Sequence, residues 1–311
     1  MRKRRHLGLL AAAAALAAGL ALAAAAPPAQ AASAGSVPGI PAAVHFTGQT
    51  WRVHAIHPPN LPRTHLPQLR GLRHGPANIT LAQSRNWSGY ADQACGTCKL
   101  RFVEAQFSVP RINCTGVTTT GAVFDSNWAG LDGLFNSTVE QTGVDAFCDH
   151  GTPIYFGWFE MFPLATVPFA ITGLDAGSAI TASVFFDYAA GHYVITLTDV
   201  TQGVSMSTVQ TCPAGSACQN KSAEVIGEAP FLTGLNQFAA LADFGRAFFT
   251  GGRVTSRNIT RGNLGDEPLW NSFAITMVNG ADVLATPGPL VNGTVGGVPV
   301  SDFTDAWRAS T

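Results

Sequence analysis

NWAGLDGLFNSTVEQTGVDAFCDHGTPIYFGWFEMFP, residues Asn127 to Pro163, is the stretch around which the chain is organised. Between Trp128 and Trp158 it sets an acid beside a glycine turn (Asp132) and a glutamine in a β-branched run (Gln141). A glutamate, Glu160, follows in an aromatic run. A polar group inside such an apolar strand needs a partner or a task, because burying it unpaired costs about 1–3 kcal/mol. One such residue is ordinary hydrogen-bonded core. Three of them, with Glu228 further along, point to a site.

Outward from this stretch the text stays strand-like. Val103, Ala105, Phe107 and Val109 alternate with Glu104, Gln106 and Ser108, and Ile180, Ala182, Val184 and Phe186 with Thr181, Ser183 and Asp187. His192–Val200 and Trp270–Val278 repeat the period of two, with Gly, Pro and Asn or Asp between the runs. That pattern predicts antiparallel, half-buried strands. Leu235–Phe249 is the one place for a short helix, although Gly245 and its aromatics favour a loop and a strand. Composition agrees: charged residues are 12% against 46% hydrophobic, with 33 Gly and 19 Pro. There is no internal repeat and no second break in composition, so the expectation is all-β, one domain of two packed sheets.

The N-terminus reads differently. Residues 1–31 have a basic start (Arg2, Lys3, Arg4, Arg5), an unbroken Ala/Leu run and an Ala29-Gln30-Ala31 cleavage site, the features of a removed signal peptide. Residues 32–85 hold five His, five Arg and no acid. Four of the 18 Lys and Arg lie in the leader and five here, which leaves nine after residue 85 against all 19 acids. A segment of +5 therefore precedes a body near −10, and it gains charge as its histidines protonate below about pH 6.5. It reads either as a basic linker or as a removable pro-region held by an acidic body, residues 86–311. Six Cys in an exported chain predict disulfides, with Cys212–Cys218 as one pair and Cys95–Cys98 as a local staple. The Ala-rich leader looks bacterial, so the N-x-S/T sequons are not read as glycan sites. The mature protein is expected outside the cell, off the membrane and monomeric.

Common chemistries are missing from the body. It has two histidines, His150 and His192, and no GxSxG elbow, which argues against a serine triad. Without HExxH, paired CxxC or a His cluster there is no expected metal, and without GxGxxG or a Walker loop no nucleotide cofactor. No basic stripe suits nucleic acid. Acids and amides remain. A hydrolase so equipped would activate water with a carboxylate, with either a second carboxyl or a neutral amide as its partner.

Several blocks, taken in order, resemble the glutamic peptidases, or eqolisins. They are Asn86-Trp-Ser-Gly-Tyr90, the strand ending Val109-Pro110, Trp128-Ala-Gly-Leu-Asp132-Gly133, Gln141-Thr-Gly-Val-Asp145, Trp158-Phe-Glu160 with Pro163, and Ala223-Glu-Val-Ile-Gly-Glu228. The resemblance implies a concanavalin-like β-sandwich, pepstatin-insensitive endopeptidase activity in acid on protein or peptide substrates, and a precursor cut near Asn86. Carried over by position, Gln141 and Glu228 are the catalytic pair. Trp87, Trp128 and Trp158 wall the cleft, and Asp132 and Glu160 help to bind substrate. Glu224 shares the Glu228 face by alternation and supports it indirectly. Phe156 and Phe159 stand where tyrosine is common in the family, which removes a hydroxyl from the neighbourhood of Glu160. Two other readings stay open: a glycosidase using Glu160 and Glu228, and a non-catalytic carbohydrate-binding sandwich.

Overall fold

The structure, a computed structural model, describes residues 79–118, 120–232, 237–265 and 269–310, and the backbone of four short strands before them. The leader and most of residues 32–85 lie outside the described residues. All that is described belongs to the unit Val37–Thr311. No helix occurs among the described residues.

In chain order the strands begin with β1 (Val44–Phe46), β2 (Gln49–Trp51), β3 (Val53–His54), β4 (Arg73–His74), β5 (Thr80–Ser84), β6 (Trp87–Ala94) and β7 (Leu100–Ser108). Then come β8 (Thr120–Leu131), β9 (Val139–Asp149), β10 (Thr152–Phe162), β11 (Val167–Pro168), β12 (Ala179–Asp187), β13 (His192–Asp199), β14 (Val204–Gln210) and β15 (Ser222–Glu228). The last are β16 (Phe231–Leu232), β17 (Gln237–Phe238), β18 (Ala240–Leu241), β19 (Arg246–Ser256), β20 (Trp270–Asn279), β21 (Asp282–Pro287), β22 (Val291–Val295) and β23 (Val298–Trp307).

Pairing builds two sheets. One runs β11-β10-β9-β8-β15-β6-β20. The other runs β14-β13-β12-β7-β19-β23-β22. Strand β21 pairs with both β20 and β23 and joins the layers on one side. No described pairing joins β11 to β14, so the ladder is an open sheet folded over on itself, a β-sandwich.

The alternating runs explain the packing. Val103, Ala105 and Phe107 of β7 and Ile180, Ala182 and Val184 of β12 share a buried core with Tyr90, Ala129, Leu131, Val144 and Val225 of the first sheet. Each such side chain contributes about 1.5–3 kcal/mol when fully buried. The expectation of half-buried strands holds for β13, where burial alternates residue by residue. It fails for β15, which is buried throughout, and for β9, buried at every residue but its last. Those strands are central, and a second cluster covers their other face: Trp87, Ala91, Trp128, Trp158, Ile226, Phe273 and Ile275.

Hairpins follow local chemistry. His150 and Gly151 connect β9 to β10 with φ of 47° and 84°, the two-residue turn that matches strand twist. Gly143 lies against Trp128, and a Cβ there would stand 2.3 Å from the Asn127 carbonyl oxygen. Cys114–Cys148 ties the segment before β8 to the end of β9, and Cys212–Cys218 pairs as expected. Cys95 and Cys98 are not bonded to each other in the structure, although their Sγ atoms stand only 2.6 Å apart, adjacent as the expected staple requires. The described part of Leu235–Phe249 forms β17, β18 and the start of β19, with no helix.

Candidate active site

Register brings the polar residues of the first sheet together. On β9, Gln141 faces Glu160 of β10 on one side and Gly130 of β8 on the other. Gly130 in turn faces Glu224 of β15. Two residues along, Trp158, Gly143, Trp128 and Ile226 form the next row, and two further on come Phe156, Asp145, Ser126, Glu228 and Trp87. Cross-strand partners share a face, and so do alternate residues of a strand. Gln141, Glu160, Asp145, Glu224, Glu228 and the three tryptophans therefore stand on one surface, opposite the inter-sheet core. A Cβ on Gly130 would approach the Cβ of Gln141 and the ring of Trp128 to 3.0 Å, so the glycine leaves room beside the amide.

Glu228 is held from two sides. Asn86 Nδ2 donates to its Oε1 at 2.7 Å, and Trp128 Nε1 to its Oε2 at 2.9 Å. Trp87 packs edge-on against Trp128 with ring centroids 5.2 Å apart. Burial pushes the Glu228 pKa well above the usual carboxylate value, Asn86 and Trp128 draw it down, and the Glu160 charge pushes it up again. Gln141 Nε2 donates to Glu160 Oε2 at 2.6 Å, and the Thr166 hydroxyl donates to Glu160 Oε1 at 3.0 Å. Thr166 thus supplies the hydroxyl that Phe156 and Phe159 lack. Burial likewise pushes Asp145 up to about 7, opposed by Ser126 and Trp158 and reinforced by Glu160. Gln141 and Glu228 lie two strands apart on one layer and four residues out of register, about 13 Å along the strand direction. Glu160 is the group that touches the amide and senses the distant carboxyl.

Two further acids flank this surface. Asp132, in a left-handed conformation at φ 69°, accepts the backbone N–H groups of Gln219, Asn220 and Lys221 at 2.6–2.7 Å. Its carboxylate is engaged by that backbone and shapes the approach to β15. Glu224 is fully buried in the Gln141 row; burial pushes its pKa well up, against the Ser222 hydroxyl and the Leu134 N–H. Asn86 and Thr166 had no role assigned from sequence. Asn86 sits in the first family-like block, a signal that was there to use, whereas Thr166 lies in a loop with none. No group of three or more His, Cys, Asp or Glu that could hold a metal occurs among the described residues.

Comparison with known proteins identifies the family and the fold. The model of the Peptidase A4 family matches residues 85–281, which contain every residue of the surface just described. Aspergillopepsin-2 of Aspergillus niger is 26% identical over 196 residues, 58% of this chain and 67% of the relative. Scytalido-glutamic peptidase, solved with a transition state analog inhibitor, superposes with a TM-score of 0.56 at 20% identity, covering 72% of this chain and 99% of its own. SCP-B, a member of the eqolisin family of peptidases solved with a tripeptide, gives 0.52 at 19% over the same shares. The chain belongs to the Peptidase A4 family, the glutamic peptidases or eqolisins, and is a hydrolase of protein or peptide substrates.

Proposed function

We propose that the protein is a secreted acid endopeptidase in which the side chains of Glu228 and Gln141, set about 13 Å apart along the strand direction, reach from either side over the Gly143 row to one water. Glu228 takes a proton from the water as its oxygen attacks the peptide carbonyl carbon. The amide N–H of Gln141 stabilises the oxyanion, a contribution of about 3 kcal/mol for one such donor. The proton then passes to the leaving nitrogen, the C–N bond breaks, and acid and amine separate. Glu160 accepts from Nε2 of Gln141 and so sets which way the amide is turned. Trp87, Trp128 and Trp158 wall the site. The observation that carries this reading is the pair of donors on Glu228: Asn86 and Trp128 hold one oxygen each and draw its pKa back down against the burial that raises it. A glycosidase using Glu160 and Glu228 gains no support, since Glu160 is already engaged by an amide and a hydroxyl.

The site is closed in the full-length chain, with Gln141, Glu160 and Glu228 each 0% exposed. Residues 1–31 act as a signal peptide, and the basic residues 32–85 as a pro-region for the acidic body. Consistent with this, β3 pairs antiparallel with β16, three to four residues beyond Glu228. Two disulfides suit an oxidising compartment. The test is acid casein digestion with pepstatin present, comparing wild type, Gln141→Ala and Glu228→Ala, each checked for folding. Both variants lose at least a hundredfold in rate, the order seen when one oxyanion donor is removed. Wild-type rates in folded Gln141→Ala end the role given to the amide.

A further inference from the structure

The face that carries Gln141 and Glu224 continues for one more row. There Ser222 of β15 faces Gln93 of β6, which faces Asn271 of β20. With Phe135 and Asn136 from the β8–β9 loop, and with Lys221, they line a cavity of about 380 Å³. Its chemistry differs from that of the neighbouring rows. Glu160, Glu224, Asp145 and Glu228 crowd those, whereas no acid lines the cavity. Amides and a hydroxyl supply both donors and acceptors, and Lys221 supplies a charge.

The placement of Lys221 is built. Its Nζ donates to the Gly96 carbonyl oxygen at 2.9 Å and to that of Cys98 at 3.3 Å, which leaves one of its three protons for a ligand. Asp132 lies beneath this loop, its carboxylate turned to the backbone N–H groups of Gln219, Asn220 and Lys221. Lys99, which donates to the Gln219 carbonyl oxygen at 2.8 Å, adds a second positive charge behind the same segment. Phe135 is 37% exposed and packs edge-on against Phe273, an apolar wall for the methylenes of a long side chain.

We propose that this cavity is a substrate subsite that takes a glutamate or glutamine side chain, in a position that rests on the peptidase reading above. Ser222 is six residues from Glu228 along β15 and shares a face with Gln141 one row away. With the bond midway between the Glu228 row, six residues away, and the Gln141 row, two away, the cavity meets an extended substrate residue roughly four positions from the scissile bond at about 3.3 Å per residue. Selectivity then comes from Lys221 and the amide lining, apart from the groups that act on water.

The experiment uses the full-length protein, brought to acid, on a mixture of peptides randomised over ten positions, with cleavage sites read by mass spectrometry. Glu and Gln are enriched, and Lys and Arg depleted, at one position about four from the cut. Preference for Glu over Gln grows from pH 3 to pH 5 as the substrate carboxyl ionises. In kcat/KM the acidic peptide leads its lysine counterpart by about fivefold, the scale of a partly exposed ion pair. Lys221→Glu inverts the preference. Asn271→Asp, an exposed change that leaves the Lys221 contacts intact, weakens it. Cleavage without any charge preference three to five residues from the bond, or a preference unmoved by both substitutions, overturns the subsite and leaves the peptidase reading standing. Absence of cleavage by the wild type overturns both.

Discussion

Asn86 shows how much one distant amide can matter. It lies 142 residues from Glu228 in the chain and donates to that carboxyl at 2.7 Å. A donor to the charged form lowers a carboxyl pKa, so its removal leaves burial and the Glu160 charge to raise Glu228 further. Asn86→Ala is expected to lower kcat/KM about tenfold, the cost of one hydrogen bond to a charged group. The acid limb of the pH–rate profile moves to higher pH in the same variant. A fall in rate with an unmoved limb reduces Asn86 to a packing residue. If the proposed pro-region is removed, the cut must leave Asn86 in place and so falls at or before Arg85. Glu160 was legible in sequence as a carboxyl in an aromatic run. Its hydroxyl partner was not, because Thr166 lies in a loop after β10 where no periodicity constrains position.

At the scale of elements, β8, β9 and β10 form two successive hairpins that carry most of the site. Their strands were readable from β-branched and aromatic runs, and the β9–β10 turn follows from a His-Gly pair that tolerates positive φ. The covalent anchor of this unit was not readable: six cysteines allow many pairings, and only folding brings Cys114 and Cys148 together. Their loop spans 34 residues, against six for Cys212–Cys218. Loop-closure entropy makes the first worth about 4 kcal/mol and the second about 2 kcal/mol. Cys114→Ala with Cys148→Ala should therefore lower the urea midpoint clearly more than the double replacement of Cys212 and Cys218. Equal losses would mean that loop length does not govern the effect here. Strand β15 is the element whose environment departed most from expectation, because both of its faces are covered.

For the whole molecule, buried carboxyls link stability to acid. Burial pushes Asp145 and Asp305 up to about 7, and pushes Asp125, Glu140, Glu224 and Glu228 upward as well. In each the fold favours the neutral acid. Stability is then complete below the unfolded value, 3.8 for the aspartates, declines as pH rises towards about 7, and is flat beyond it for those two groups. Asp145 and Asp305 alone account for a loss on the order of 4 kcal/mol each across that window. The thermal midpoint, followed by calorimetry from pH 3.5 to 8, is expected to be highest at the acid end; a flat or rising curve contradicts the assignment. Charge separation along the chain leads to a second expectation. When the secreted protein is moved from neutral to acid pH, its mass should fall by the 32–85 segment as activity appears. A fully active product that retains the segment removes the pro-region.

Period-two patterning and turn residues determined that this chain is all-β with packed sheets, because strand periodicity and local turn chemistry are written residue by residue; the glutamic-peptidase reading came separately, from ordered blocks that resemble that family. Which polar groups meet is another matter. The hold of the 219–221 backbone on Asp132, the grip of Asn86 and Trp128 on Glu228, and the acid-free cavity at Lys221 all depend on strand order and register. Those are set by long-range pairing, for which neighbouring residues in the chain carry no record.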